Sequence, residues 1–290
     1  IFNIIKSLRD LAGLSTFSTF SFLSSNEIIN AVFDRADIVS KPIIELDFFN
    51  KSQTLDQYIN LNLLKFLCGK PRFIHIDLGL KFDSTGIACS YLEDFTETKR
   101  FDPTTGKELI SREPVFVTEW IMEVRAVPGQ EVAIYKIKDF IIEAKKIGYP
   151  IYSVSTDGYQ STNLRQDLTI VGINTELISC DRTKDPYNFL RNAMLEGRHH
   201  APNREKLVKE FRELDESDDK FDHPHDGTKD LADAVCGSVW NCSKNLNKAG
   251  TVNSIELLKS IDSLFKQSGS NESQFKSIIE TMIKGNQNDN

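Results

Sequence analysis

Five aspartates, Asp77, Asp83, Asp157, Asp230 and Asp233, have the type and spacing to do chemistry in this chain. Asp77 closes the apolar run Phe73, Ile74 and Ile76; a glycine-containing bend with Asp83 follows, and the apolar pattern resumes at Ile87 to Cys89. Two short runs joined in this way predict a β-hairpin with Asp77 at the end of its first strand. A carboxylate there is costly to desolvate unless a cation or hydrogen bonds compensate it. Taken alone, Asp77 is equally a turn residue. Asp157 closes a second run, in SVSTDGYQS, and Asp230 and Asp233 fall in TKDLADAV at the start of a predicted helix. Residues three apart on a helix point within about 60° of each other, so these two acids can face the same way. Asp230 alone reads as a helix-start acid favoured by the dipole. Asp233 lies among Leu231, Ala232, Ala234 and Val235, and no Lys or Arg follows four residues on, position 237 being Gly.

Carboxylates clustered without Cys or His pairs suit hard, oxygen-seeking cations, Mg²⁺ or Mn²⁺, better than zinc. Two such ions about 4 Å apart can activate a water and stabilise the leaving oxygen in phosphodiester cleavage. His225 and Asp226, just before the helix, could add or orient a ligand. His199 and His200 are predicted on a loop or strand with no catalytic part.

The elements that must position these acids follow from periodicity. Residues 1–70 form a first region: Ser25 or Asn26 caps a short helix through Ile28, Ile29, Val32 and Phe33, and Thr54 another through Leu55, Tyr58, Ile59 and Leu63. The phenylalanines of LSTFSTFSFLSSN are expected to pack on a neighbouring surface. Gly69-Lys70-Pro71 marks a boundary. After the opening hairpin, the polar stretch from Asp94 to Glu113 predicts a surface excursion or a second hairpin turn. Val115 to Val127 alternates as a strand, and Gln130 to Ile147 carries a helical stripe. Strands are then predicted over 151–156 and 173–179, with helices over 159–168, from Asp185-Pro186, from Asn203 and over 228–245. Antiparallel strands first, then strands alternating with helices, give a mixed α/β sheet covered by helices. In such sheets, sites gather at strand ends and the adjoining helix starts, where Asp77, Asp157 and the Asp230/Asp233 pair fall. Beyond about residue 246 the chain turns polar, with weaker helical patches at 255–264 and 278–283.

With 290 residues, 40% hydrophobic and 27% charged, the chain has an ordinary globular composition with a substantial core. No apolar run approaches the roughly 18 residues of a membrane-spanning helix, and IFNIIKSLRDL lacks the features of a secretion signal. The chain opens on Ile1 without a Met, as a processed or truncated product would. Its five cysteines show no CxxC pairing and read as free thiols. A net charge of −7 argues against bulk affinity for nucleic acid, but a metal-dependent nuclease needs only a local basic rim. Lys136, Lys138, Lys145 and Lys146 are one candidate rim, and Arg182, Lys184, Arg191 and Arg198 another.

In combination and in this order, HIDLGLKFDSTGIA, VSTDGYQS and HDGTKDLADAVCG resemble the C-terminal nuclease domain of the large terminase subunit of tailed bacteriophages. The resemblance covers about residues 72–245. It implies a ribonuclease H-like fold, an α/β architecture with a mixed β-sheet flanked by helices. It also implies Mg²⁺- or Mn²⁺-dependent cleavage, with two ions, of concatemeric double-stranded DNA during genome packaging. Carried over residue by residue, Asp77 matches the first-strand metal ligand and Asp157 the second. Asp233 is the first choice for the third, with Asp230 beside it; Asp83, His225 and Asp226 are auxiliary.

The implied partners are double-stranded DNA, the portal protein and the small terminase subunit, without a membrane, in the cytoplasm of the infected host. Residues 1–70 then read as the connecting region of such a protein, 71–246 as the nuclease domain and 247–290 as a helical or flexible extension. A complete large terminase also carries an ATPase, and no GxxxxGK[ST] occurs in this sequence. Two rivals remain: DLGLKFDSTG loosely resembles the phosphate loop of the sugar kinase, actin and Hsp70 superfamily, and a DNA-binding or docking module would use its acids only to cap and solvate.

Overall fold

The computed structural model describes residues 22–62, 69–79, 84–101, 106–158, 161–216, 220–224 and 226–249. Asp83, His225, Cys68 and the expected helical patches beyond residue 250 lie outside them.

A seven-stranded sheet forms the centre. Its strands are β1 (Ile44–Leu46), β2 (Arg72–Asp77), β3 (Thr85–Phe101), β4 (Glu108–Ala126), β5 (Ile151–Thr156), β6 (Asn174–Leu177) and β7 (His199–His200). The order is β1-β4-β3-β2-β5-β6, with β7 also paired to β4. Only β3 runs against its neighbours in this sheet; β5 lies parallel to β2, β6 to β5, and β1 and β7 to β4. A central strand flanked by one antiparallel and one parallel neighbour in this order is the ribonuclease H-like arrangement, and the fold is a mixed sheet flanked by helices, as the sequence implied.

Helices cover both faces. On one side α2 (Ile134–Lys146) and α3 (Thr162–Ile170) pack with β1 against Ile74, Ile76, Ile87, Trp120 and Met122. On the other lie α1 (Asn26–Val32), α4 (Asp185–Leu195), α5 (Glu205–Glu213) and α6 (Asp230–Lys244), over Phe73, Ala88, Phe116 and Ile121. A short helix, α7 (Leu246–Ala249), follows, and β8 (Asp215–Glu216) pairs with β9 (Phe221–Asp222) in a small ribbon. Residues 22–62 belong to the same cores: Phe22, Leu23 and Val32 are buried on one face, and Ile44, Leu46 and Leu55 on the other. Phe22 stacks on Phe211 and meets Tyr187 and Phe221 edge-on, the packing expected of it; Phe17 and Phe20 lie outside the described residues.

One local reading changes. Thr54 makes no side-chain cap, and the helix expected after it is a single 3₁₀ turn, Leu55–Tyr58, ended by Ile59 in extended geometry. Of the two readings of the polar stretch from Asp94 to Glu113, the second hairpin holds: β3 and β4 continue through it as an antiparallel ribbon up to Phe101↔Glu108. Charge pairs across the ribbon replace the missing apolar alternation there, with Lys99 on Glu108 at 3.3 Å and Arg100 on Glu113 at 3.2 Å.

The α6 helix is the element that makes the site. Eleven of its fifteen residues are buried, as befits a helix enclosed between the sheet and a second helical layer. Its approach to the sheet depends on two glycines. A Cβ on Gly86 of β3 would stand 2.0 Å from the main-chain oxygen of Asp230, and a Cβ on Gly237 would stand 2.3 Å from the ring of His75 on β2. Ser238 Oγ meets Ser90 Oγ at 2.7 Å, and Asn241 donates to Ser153 Oγ at 3.2 Å. Small and polar residues therefore let the helix backbone lie directly across β3, β2 and β5.

Candidate metal centre

Side-chain alternation decides which strand residues face α6. On β2, Phe73 joins the α6-side core and Ile74 and Ile76 the opposite one, so His75 and Asp77 face α6. On β5, Ser153 touches Asn241 and Ser155 bonds His75 at 2.9 Å; Asp157 continues that face just past the strand end. The helix runs from Gly237 above His75 back to Asp230 above Gly86, and Gly86 is the register partner of Asp77. Its first turn, with Asp230 and Asp233, is thereby set over the end of β2. Ser161 donates to the carbonyl of Asp157 at 2.5 Å and holds the turn after β5 closed before α3 begins.

These placements bring Asp77, Asp157, Asp230 and Asp233 to one end of the sheet. The Asp77 carboxyl is driven well above the usual carboxylate range, first by burial and then by the negative charges of Asp233, Asp157 and Asp230; Lys229 opposes the shift. The Asp233 carboxyl is also raised, to about 6, chiefly by burial and against the pull of Lys229. Asp233 is anchored from two sides: Tyr187 Oη of α4 donates to Oδ1 at 2.6 Å, and Lys229 Nζ lies 3.4 Å from Oδ2. Asp230 Oδ2 stands 3.7 Å from Lys206 Nζ, which also holds Glu123 of β4 at 2.9 Å. Asp226 is exposed in the loop before the helix.

Among the described residues no three His, Cys, Asp or Glu side chains close to metal-ligand spacing. The donor set nevertheless fits a hard divalent cation. Its members at the strand ends are all carboxylate oxygens, and the like charges around Asp77 repel each other in a way that a cation among them would relieve.

Several residues that shape this site went unread in the sequence. The position four residues after Asp233 is Gly237, and the basic partner of Asp233 is Lys229, four residues before it. Glu210 of α5 is 2% exposed and caps α6 from outside, accepting the main-chain N–H groups of Leu231 at 3.0 Å and Ala232 at 2.9 Å. The signal was present in the spacing: Glu210 lies three residues after Leu207 and four before Leu214, on the apolar face of its helix.

Burial raises the Glu210 carboxyl to about 7, outweighing the Ala232 N–H and Lys206 that favour the charged form. The folded protein therefore holds a proton on Glu210 that the unfolded chain has already released. Its stabilisation is complete below about pH 4.5 and is lost as pH rises to about 7, a change of up to about 3 kcal/mol. Urea denaturation in EDTA across that range is expected to show falling stability with rising pH. Glu210→Gln is expected to flatten the slope without abolishing it, since Asp77 and Asp233 shift in the same direction.

The two candidate basic rims fare differently. Lys136, Lys138, Lys145 and Lys146 lie on α2, across the sheet from α6; Lys136 is buried against the carbonyls of Asp47 and Asn50, and Lys138 pairs with Asp167 at 2.9 Å. In the second group Arg198 is 2% exposed, paired with Glu196 and donating to the carbonyl of Pro114. Lys184 and Arg191 share Glu216, and Arg182 is exposed beside Asp181, a partner of Lys229. His199 is buried on Thr118 Oγ1 at 2.9 Å and, with its pKa pushed down to about 3 by burial, stays neutral. Cys89, Cys180, Cys236 and Cys242 are free and buried. No helix among the described residues is long and apolar enough to cross a membrane.

No protein-family model matches the chain, and no curated protein does. Among solved structures, the large terminase nuclease from thermophilic phage G20c with bound magnesium shares 12% identity, with 76% of this chain and 97% of that one covered and a TM-score of 0.42. The g2p large terminase nuclease domain from bacteriophage SPP1 with bound Mn shares 10%, over 70% and 98%, with a TM-score of 0.38. The HK97 bacteriophage large terminase shares 16%, over 62% of this chain and 42% of its own, with a TM-score of 0.38. These solved structures to which the chain is similar are two nuclease domains of phage large terminases and a phage large terminase.

Proposed function

We propose that the chain is the nuclease part of a phage large terminase, a Mg²⁺- or Mn²⁺-dependent endonuclease that hydrolyses phosphodiester bonds of double-stranded DNA during genome packaging. The observation that carries this reading is the crowding of Asp77 by Asp157, Asp230 and Asp233 at the strand ends of a ribonuclease H-like sheet. The sequence motifs around the same residues support it. Asp77, Asp157 and Asp233 would hold the metal, with Asp230, Asp83, His225 and Asp226 as auxiliaries. A bound pair of divalent ions supplies an activated water and charge stabilisation at the leaving oxygen.

The chain's own residues prepare that chemistry. Gly86 and Gly237 seat α6 so that its first turn meets the end of β2, and Tyr187 fixes the Asp233 carboxylate. Without a cation, burial and mutual repulsion raise the carboxyls of Asp77 and Asp233, so metal and protons compete for them and metal binding strengthens as pH rises. No base-reading element stands out, so cleavage is proposed to be independent of sequence. The portal protein and small terminase subunit are the proposed partners and the infected host's cytoplasm the proposed location.

Incubation of supercoiled plasmid with the protein and Mn²⁺ tests the reading. Nicked and linear products are expected with Mn²⁺ or Mg²⁺ and none in EDTA. Cleavage that persists in EDTA, or that survives both Asp77→Ala and Asp157→Ala, contradicts it.

A further inference from the structure

Lys229 sits at the N-cap position of α6 and turns its side chain onto the helix it precedes. Three carboxylates surround its ammonium: Asp233 Oδ2 at 3.4 Å, Asp222 Oδ1 of β9 at 3.9 Å, and Asp181 Oδ1, which accepts its hydrogen bond. The three differ in burial. The Lys229 and Asp233 side chains are each 11% exposed, whereas Asp222 is 35% and Asp181 47% exposed. Asp233 is the inner partner and the other two are outer ones, nearer water. An ammonium released by Asp233 therefore keeps two acidic partners and is not left buried and unpaired. Asp230 has a separate lysine, Lys206, which is shared with Glu123 and Glu210.

We propose that Lys229 is a positioning residue, a tethered cation that holds Asp233 in the metal-free site and yields it to a divalent ion, so that competition by Lys229 sets how much metal the site requires. This rests on the reading of Asp77, Asp157 and Asp233 as metal ligands. With Tyr187 on Oδ1 and Lys229 at Oδ2, Asp233 is oriented before metal arrives. Release requires only that Nζ, already hydrogen-bonded to Asp181, swing away from Asp233 toward Asp222. A lysine suits this exchange, being a compact point charge on a flexible stem.

Calorimetric titration of Mn²⁺ into DNA-free protein, paired with thermal melting in EDTA, tests the proposal. Lys229→Met is expected to bind Mn²⁺ about tenfold more tightly than wild type, the size of an ordinary coupling between competing sites. It is also expected to melt lower in EDTA and to gain more from added Mn²⁺. Unchanged or weaker Mn²⁺ binding by Lys229→Met, with wild type binding normally, overturns the proposal alone. A wild-type protein that binds no Mn²⁺ overturns the ligand reading and this proposal with it. Should Lys229→Met fail to fold, the double variant Asp181→Asn/Asp222→Asn leaves Lys229 committed to Asp233. That variant is expected to bind Mn²⁺ more weakly than wild type, and unchanged affinity there overturns the proposal.

Discussion

Asp77→Asn is expected to lower Mn²⁺-dependent plasmid cleavage by at least about a thousandfold, equivalent to about 4 kcal/mol of barrier. It is also expected to stabilise the metal-free protein. The two effects share one cause. The half-buried Asp77 carboxyl sits among three like charges, and desolvation first, then those charges, raise its pKa well above the carboxylate range. An amide of the same shape removes that repulsion together with the metal-binding oxygen, the stability–activity trade-off common at functional sites. In EDTA at pH 8 the variant is expected to melt a few degrees above wild type, a gain of about 1–2 kcal/mol. Mn²⁺ is expected to raise the melting temperature of wild type and leave the variant unmoved. If Asp77 only finished a turn, the substitution would leave cleavage intact and would not stabilise the protein.

Gly86→Ala is expected to have the second largest effect. The added methyl would overlap the Asp230 carbonyl, a backbone atom that cannot rotate aside. The start of α6 must lift from β3, which moves Asp230 and Asp233 away from Asp77. A stability loss of about 1–3 kcal/mol follows from overpacking of this kind, and cleavage is expected to fall more steeply than the folded fraction. Gly237→Ala meets the His75 ring, two turns further along α6. It is expected to destabilise by a similar amount while leaving the residual activity of the folded fraction closer to wild type. Urea denaturation alongside cleavage per folded molecule separates the two. Equal loss of specific activity in both variants would contradict the placement of the site at the start of α6.

The strands and helix that bring the acids together were legible in the sequence because simple periods mark them. The apolar run closed by Asp77 and the strand pattern of Ile151–Thr156 closed by Asp157 located β2 and β5, and the apolar run after Asp230 located α6. The ribbon from Asp94 to Phe101 was legible only as one of two alternatives, because paired charges rather than apolar residues mark its strands. Helix starts drifted for local reasons: Gly129, with φ +84°, and the bond from Gln130 N–H to the Val127 carbonyl make a turn, so α2 begins at Ile134, not at Gln130.

At the site, residue type suggested the carboxylates but not what holds them. Lys229 stands four residues before Asp233, on the far side of the helix start, and Tyr187 is 46 residues distant in sequence. Glu210 broke the polarity of its helix face, yet only packing shows that it caps α6. Gly86 and Gly237 looked like ordinary strand and helix glycines until the backbone of α6 lay against them.

Crystals of the protein soaked in Mn²⁺ and measured at the manganese absorption edge give the most direct test of the metal centre. Anomalous difference density bounded by Asp77, Asp157 and Asp233 is the expected result, with Lys229 Nζ withdrawn from Asp233 toward Asp222. A map with no anomalous peak within ligand distance of Asp77 at millimolar Mn²⁺, about the concentration at which carboxylate sites fill, would contradict the central claim.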